Sequence, residues 1–172
     1  RCRAAARFHL APAVGEDMAA RMRARWEGRP DGFMHARAAD PYKNGPCERA
    51  RAILEYSRTA HPAVAVLLTG STADREVLHR LAAGLADVHV VAGEFDIAET
   101  AACLAGASCV VAPDTGVLHL AAALGVQVIG LYAPTSASLV GPRSGDGRAV
   151  IIQKPFPWDP ACPRECPYTP HN

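Results

Sequence analysis

The chain has 172 residues, of which 49% are hydrophobic and 20% charged, and its 18 basic and 17 acidic residues leave a net charge of +1. These values are typical of one globular domain, and they give no sign of a nucleic-acid-binding surface, a membrane-binding surface or an acidic tail. No apolar run approaches the roughly 20 residues that cross a bilayer, and the basic N-terminus, RCRAAARFHLAP, lacks the apolar core of a signal peptide.

Helical and strand-like patterns alternate along the chain. Apolar residues at every fourth position predict a first helix over 14–26, and the continuous apolar run VAVLLT predicts a strand covered on both faces. The residue pairs at 71 and 74 and at 96 and 99 are spaced as helix capping boxes. In chain order, we predict helices over 14–26, 47–60, 71–85, 96–106 and 116–125, and strands over 33–39, 64–69, 88–91, 109–112, 126–131 and 149–153.

This alternation predicts an α/β fold, a Rossmann-like, doubly wound domain with a mostly parallel sheet. Residues 13–154 are assigned to the domain, 1–12 to an interdomain linker or edge strand, and 155–172 to a tail rich in proline and cysteine. The sequence contains no GxGxxG, GxxxxGK[ST] or GxSxG motif. It therefore does not resemble a standard dinucleotide-binding fold, a P-loop ATPase or an α/β-hydrolase.

The stretch Asp114–Gly125, DTGVLHLAAALG, turns from a strand directly into a helix. Such a turn directs free backbone N–H groups and the positive end of the helix dipole at one point, which suits an anion such as a diphosphate. An ordinary capped helix after a strand has the same local pattern. The stretch by itself leaves both interpretations open.

Polar loops follow several of the predicted strands. The carboxyl ends of parallel strands share one edge of the sheet, where such folds bind ligands. The loop over 39–46 carries one cation, Lys43, which can either reach a phosphate or remain solvated. We expect the following residues to share one rim: Lys43, Ser71, Asp74, Asp114, Thr115 and Thr135.

Two groups of cysteines differ in their surroundings. Cys103 and Cys109 lie in apolar stretches and are expected to be buried thiols. Cys162 and Cys166 form a C-x3-C pair in the tail, with only His171 as a further nearby ligand, so no metal site is expected. A reduced, cytosolic protein is the default interpretation.

Several motifs together resemble glycosyltransferase family 9, the ADP-heptose:lipopolysaccharide heptosyltransferases. They are LLTGSTADREV, GEFDIAETAACLAGA, VVAPDTGVLHLAAALGVQVIGLYAPT and the C-x3-C tail. The resemblance runs from about Phe8 to the end of the chain and is strongest over 64–135, whereas the loop around Lys43 matches less closely.

The resemblance implies one half of a GT-B fold, in which two Rossmann-like domains enclose the active site. The chain is similar to the C-terminal, donor-binding domain alone. In the family, the N-terminal domain supplies the acceptor site and the catalytic carboxylate, so no catalytic residue is expected in this chain, and the chain alone is expected to be inactive.

The resemblance also assigns roles on the phosphate side of the donor. The N–H groups of Thr115 and Gly116 would hold the diphosphate, and Asp114 would shape the turn and touch the sugar. Lys43 would neutralise the leaving diphosphate. His119 would face the phosphates from the first helical turn, although a buried core histidine is the structural alternative.

On the nucleoside side, the resemblance assigns three further residues. Ser71 and Asp74 would meet the nucleoside, with Asp74 standing where the family has a glutamate, and the backbone near Phe95 would frame the adenine. Asp74 can equally serve only as a helix cap. Thr135 can likewise do no more than begin the loop after its strand.

The implied reaction is an inverting, metal-independent glycosyl transfer. Negative charge grows on the leaving diphosphate in the transition state, and Lys43, fixed N–H dipoles and a protonated His119 can stabilise it without a metal. The donor would be ADP-heptose or another ADP-sugar, with no separate cofactor, and the acceptor a glycolipid of the lipopolysaccharide core type.

The same resemblance implies a cytoplasmic full-length enzyme with at most peripheral association with the inner membrane. The net charge of +1 gives no reason to expect a nucleic-acid partner. Two alternatives are a nucleotide-sugar epimerase of the GT-B type and a non-catalytic Rossmann-like binding module.

Overall fold

A computed structural model describes residues 8–26, 31–40, 43–133, 135–142 and 148–153. The helices are α1 (Pro12–Trp26), α2 (Cys47–Ala60), α3 (Arg75–Ala82), α4 (Ile97–Ala105), α5 (Gly116–Ala123) and α6 (Ala137–Val140). The strands are β1 (Gly32–His35), β2 (Val66–Thr69), β3 (Val88–Val90), β4 (Cys109–Pro113), β5 (Val128–Tyr132) and β6 (Ala149–Gln153).

The six strands form one sheet in the order β3-β2-β1-β4-β5-β6, and every neighbouring pair is parallel. The prediction of a doubly wound, mostly parallel α/β fold is therefore confirmed, and the described sheet is wholly parallel. The strand order reverses between β1 and β4. This reversal is the topological switch point at which open α/β sheets form their ligand crevice.

Helices cover the sheet on both faces, as its apolar strands require. The larger core cluster packs α1, α4 and α5 against one face, and the smaller packs α2 and α3 against the other. All four residues of β2 are buried, which confirms the interpretation of the VAVLLT run as a strand covered on both sides. The helices thus cover the two faces of the sheet, and the loops that follow the strands lie at its carboxyl edge.

The local patterns predict most element bounds closely. Helix α2 has the predicted bounds, and both predicted capping boxes form, at Ser71 with Asp74 and at Asp96 with Glu99. The Ser71 box opens a 3-10 turn, Thr72–Asp74, before α3. These features depend on residues three or four positions apart, so the sequence contains what is needed to predict them.

Other bounds differ from the prediction for physical reasons. Strand β1 ends at His35 rather than Ala39, because its pairing with β2 ends where His35 meets Thr69. Residues 8–11 form no strand, and α1 begins at Pro12, a residue that suits a first helical turn because it needs no N–H donor there. The short helix α6 was not predicted.

The two cysteines expected to be buried have shielded thiols. Cys103 is fully buried and Cys109 half-buried. Burial raises the pKa of Cys103 to about 12 and also raises the pKa of Cys109. Cys162, Cys166 and His171, with the rest of 155–172, lie outside the described residues, as do residues 1–7.

No helix in the described part of the chain is long and apolar enough to span a membrane.

Candidate functional site

An ion pair between Lys43 and Asp114 lies at the switch point. Lys43 follows β1 and Asp114 follows β4, the two strands between which the order reverses. The Lys43 Nζ donates to Asp114 Oδ2 at 2.7 Å, and the two side chains are only 25% and 9% exposed. Residues 71 positions apart thus form one charged centre in the crevice where α/β folds bind ligands.

Asp114 is held as a carboxylate by its neighbours. Burial would by itself raise its pKa, but the hydrogen bond from Lys43, the nearby Thr135 hydroxyl and His119 together lower the pKa below its usual value. The Nε2 atom of His119 lies 3.4 Å from Asp114 Oδ1, and the His119 side chain is 43% exposed. His119 therefore belongs to the rim of the site and is not a core histidine.

The start of α5 adjoins this charged centre. Thr115 has an extended backbone at the N-cap position, and its hydroxyl is buried without a hydrogen bond to any described residue. A Cβ atom placed on Gly116 would meet no atom within 4 Å. The first N–H groups of α5 have no partner within their own helix, so they can donate to an anion that approaches over Gly116.

Tyr132 is a site residue that sequence reasoning missed. It ends β5, is 3% exposed, and its hydroxyl forms no hydrogen bond with any described residue. Burial and the negative charge of Asp114 both raise its pKa, so the hydroxyl stays protonated beside the carboxylate. The Thr135 hydroxyl is also buried; it lies near enough to Asp114 to lower the pKa of that carboxylate but meets the geometry of a hydrogen bond with no described residue. In the sequence, Tyr132 is only the residue that follows the predicted strand over 126–131.

Replacing Tyr132 with phenylalanine is expected to leave the fold intact. The hydroxyl lies near the Asp114 carboxylate but meets the geometry of a hydrogen bond with no described residue, so its removal should change the free energy of unfolding by only about 0 to +1 kcal/mol, in the stabilising direction. Urea unfolding followed by circular dichroism measures this, with Tyr56→Phe on the exposed side of α2 as the control. A loss of more than about 1 kcal/mol would mean that the hydroxyl has a bonding partner.

Ser71 and Asp74 form a second polar group after β2. Asp74 Oδ2 accepts from the backbone N–H of Ser71 at 2.9 Å and from its hydroxyl at 2.6 Å. Arg37, which follows β1, places its Nε 3.6 Å from Asp74 Oδ1. Burial alone would raise the pKa of Asp74, but the Ser71 bonds and the Arg37 charge lower it. Asp74 is thus a helix cap, and its proposed contact with a nucleoside stays a prediction.

The predicted rim is therefore divided into two groups. Among the described residues, no hydrogen bond or ion pair joins the Lys43–Asp114 group to the Ser71–Asp74 group.

Phe95 lies in the loop after β3, half-buried against the larger core cluster. Between the groups, the imidazole Nδ1 of His35 lies 2.9 Å from the Thr69 hydroxyl, and burial lowers the pKa of this histidine.

A cavity of about 530 Å³ lies beside the site, between α2 and the sheet. Its walls are mostly apolar and come from β1, α2, β4 and β5, and it reaches the charged centre at Lys43 and Tyr132. Within the described residues, no group of three or more His, Cys, Asp or Glu side chains is placed to hold a metal ion.

The fold and this site define a Rossmann-like α/β domain with a charged crevice at its switch point. A family model described as glycosyltransferase family 9 (heptosyltransferase) matches residues 18–170. The chain belongs to this glycosyltransferase family.

Individual relatives agree with the family. Lipopolysaccharide heptosyltransferase 1 of Pseudomonas aeruginosa is 41% identical over 102 residues, which cover 59% of this chain and 28% of that protein. Lipopolysaccharide heptosyltransferase 1 of Escherichia coli K12 is 36% identical over 110 residues, 63% of this chain and 33% of that protein.

Solved structures of heptosyltransferases share the fold. The structure of E. coli heptosyltransferase WaaC with ADP superposes with a TM-score of 0.67 at 27% identity, covering 80% of this chain and 42% of that one. The E. coli ADP-heptose lps heptosyltransferase II gives a TM-score of 0.72 at 24% identity, covering 85% and 44%. The chain thus spans less than half the length of the relatives it matches.

Proposed function

We propose that this chain is the donor-binding, C-terminal half of a heptosyltransferase-like enzyme with a GT-B fold. The observation that carries the proposal is the Lys43–Asp114 pair at the switch point, beside the unobstructed start of α5. A diphosphate needs both a cation and aligned N–H donors, and this place offers both. The related E. coli WaaC structure is one with ADP, which supports an ADP-sugar as the donor.

The proposed reaction is an inverting transfer that needs no metal ion. As the bond between the sugar and the diphosphate breaks, charge grows on the leaving oxygens, and Lys43 together with the N–H groups of Thr115 and Gly116 would stabilise it. His119 stands close enough to add a further donor. Asp114 orients Lys43 and can accept a hydrogen bond from a sugar hydroxyl.

In this proposal the groups that bind and activate the acceptor would belong to another part of the enzyme. The base that activates the acceptor hydroxyl, and the site for a glycolipid of the lipopolysaccharide core type, would belong to an N-terminal domain of the complete enzyme. That enzyme would work in the cytoplasm, with at most peripheral contact with the inner membrane. The chain by itself would bind a donor without transferring the sugar.

Calorimetric titration with ADP tests the proposal, with Gly116→Ala as the informative variant. Because its Cβ meets no protein atom, the change should leave the free energy of unfolding unchanged or raise it by up to ~1 kcal/mol. The same methyl group would stand where the diphosphate approaches α5, so ADP affinity should fall by about tenfold.

The matched control is Gly15→Ala in α1, where the added Cβ would make only an ordinary contact with Leu10. It should bind ADP like the unaltered chain. Absence of ADP binding by the unaltered chain would refute the proposed function. If Gly116→Ala binds ADP as tightly as the unaltered chain does, the start of α5 is not the binding site of the diphosphate. Titration with UDP tests the choice of base.

A further inference from the structure

The outer strands β5 and β6 share an apolar face on the side of the sheet where α2 and α3 lie. Their register sets four apolar side chains on this face, Ile129 beside Val150 and Leu131 beside Ile152. Ile129 is also paired with Val111 of β4, which packs against the smaller core cluster. Among the described residues, that cluster includes none from β5 or β6. We call this surface the β5–β6 face.

The β5–β6 face is exposed and adjoins a cavity. Val150 is 47% and Ile152 56% exposed, although both are large apolar residues. The cavity of about 530 Å³ between α2 and the sheet has Ile53, Leu131 and Ile152 in its walls. All-parallel sheets have both faces covered, and apolar surface that continues into a concavity is typical of an interaction site. An apolar partner therefore fits this face best.

The chain supplies apolar side chains directly after β6. Residues 154–172 lie outside the described residues, and their sequence begins KPFPWDP, so Phe156 and Trp158 follow the strand closely. Five extended residues span at most about 17 Å. Strands β6 and β4 are two strand spacings apart, about 10 Å. The aromatic residues are therefore near enough in sequence to reach both the face and the cavity.

The end of β6 is fixed beside this face. Gln153 donates from its Nε2 atom to the Thr135 carbonyl at 2.9 Å and accepts from the Ala137 N–H at 3.2 Å. Ala137 begins α6, and it packs against the larger core cluster on the opposite side of the sheet. That side is thus already occupied at this edge by the connection from β5 to β6, whereas the β5–β6 face is open.

We propose that the segment after β6 folds back over the β5–β6 face, with Phe156 against Val150 and Ile152 and with Trp158 in the cavity beside α2. Phe156 precedes a proline, which disfavours a helical backbone and favours the extended one that such a path needs. The cavity also has Asn44 in its wall, so the segment would support the loop that carries Lys43. The inference does not depend on the proposed function.

Tryptophan fluorescence tests the proposal, because the chain has two tryptophans and Trp26→Phe leaves Trp158 as the single emitter. In this otherwise complete chain, we expect Trp158 emission to be blue-shifted and shielded from acrylamide until urea unfolds the protein. Adding Ile152→Glu should shift the emission to that of a solvent-exposed tryptophan, because a carboxylate is costly to bury beneath the segment.

Leu139→Glu in the same background is the matched control. Leu139 is 66% exposed and lies in α6, so its replacement should leave the emission of Trp158 unchanged. Circular dichroism shows whether each variant is folded, and Ile152→Thr replaces Ile152→Glu if the glutamate variant is unfolded. In the unaltered chain, nuclear Overhauser effects from the Trp158 indole to the methyl groups of Leu131 or Ile152 identify the face directly.

Three results would overturn the proposal. The first is a Trp158 that is open to acrylamide in the folded chain. The second is a set of Overhauser effects that joins Trp158 to Leu139 and Val140 on the α6 side of the sheet. The third is a shielding of Trp158 that is lost on dilution together with a dimer in sedimentation, since a second copy would then cover the face.

Discussion

Replacing Lys43 with methionine is expected to abolish most of the ADP affinity and to raise the pKa of Asp114. Methionine retains the length of the side chain but removes the charge that holds the carboxylate ionised. Burial then dominates the environment of Asp114 and favours its protonated form. The pKa of Asp114 can be followed by carbon NMR of its carboxyl group.

The same variant should be less stable at neutral pH. Removing one partner of a buried pair leaves the other charge uncompensated, and since this pair retains some solvent contact, we expect a loss of about 1–3 kcal/mol. Because the folded pKa of Asp114 is below its ordinary value, its stabilising contribution is present above that ordinary value and is lost as pH falls through the folded pKa. The difference between the unaltered chain and Lys43→Met should therefore shrink on acidification.

A double-mutant cycle with Asp114→Asn measures the interaction free energy between Lys43 and Asp114. Lys43→Met combined with Asp114→Asn should be more stable than the sum of the single changes predicts, because no unpaired charge is left behind. An unchanged pKa of Asp114 in Lys43→Met, or strictly additive losses of stability, would contradict the coupling that the 2.7 Å contact implies.

Replacing Gly93 with alanine should destabilise the domain by about 2–4 kcal/mol, which combines the strain of a left-handed alanine with a steric clash. Gly93 has a φ of +68°, and an added Cβ would lie 2.3 Å from the Thr72 hydroxyl and 3.0 Å from the Thr72 Cα and N atoms. The hydroxyl could rotate away, but the backbone atoms could not. The close approach is held by a hydrogen bond from Gly93 N–H to the Gly70 carbonyl at 2.9 Å.

Gly84→Ala is the matched control for this change. Gly84 also has a positive φ, +73°, but an added Cβ would meet no atom within 4 Å. It should therefore cost only the backbone strain, about 1–2 kcal/mol. Urea unfolding of both variants measures the difference. If Gly93→Ala is no more destabilising than Gly84→Ala, the loops after β2 and β3 do not pack as closely as described.

The clash at Gly93 has a consequence for the site. Thr72 begins the turn that Ser71 and Asp74 cap, so displacing it would also displace the carboxylate that faces Arg37. We therefore expect the stability loss to be accompanied by weaker nucleotide binding, whereas Gly84→Ala should bind normally. From the sequence, Gly93 is only a loop residue, because nothing in the local pattern shows what lies opposite it.

Local chemistry made much of the fold predictable. The apolar residues of α2, the buried run of β2 and the two capping boxes each depend on a few neighbouring positions, and each element forms where it is predicted. Helix α2 has the predicted bounds, whereas β2 begins two residues later, at Val66, and the helix predicted over 71–85 ends at Ala82. The end of β1 was not predictable in this way, because it depends on where the partner strand ends. The carboxyl ends of parallel strands share one edge of the sheet, and this rule was enough to place Lys43 and Asp114 at the same edge.

The sequence by itself determined three things: the alternation of strands and helices, the motif at Asp114–Gly125 and the family resemblance. Each of them depends on local periodicity or on short motifs. Only the tertiary structure decided that Lys43 pairs with Asp114, that Asp74 faces Arg37, and that Tyr132 is buried beside the charged centre. The physical reason is that pairing and burial depend on which strands become neighbours. Strand order is a property of the whole chain, and no single segment specifies it.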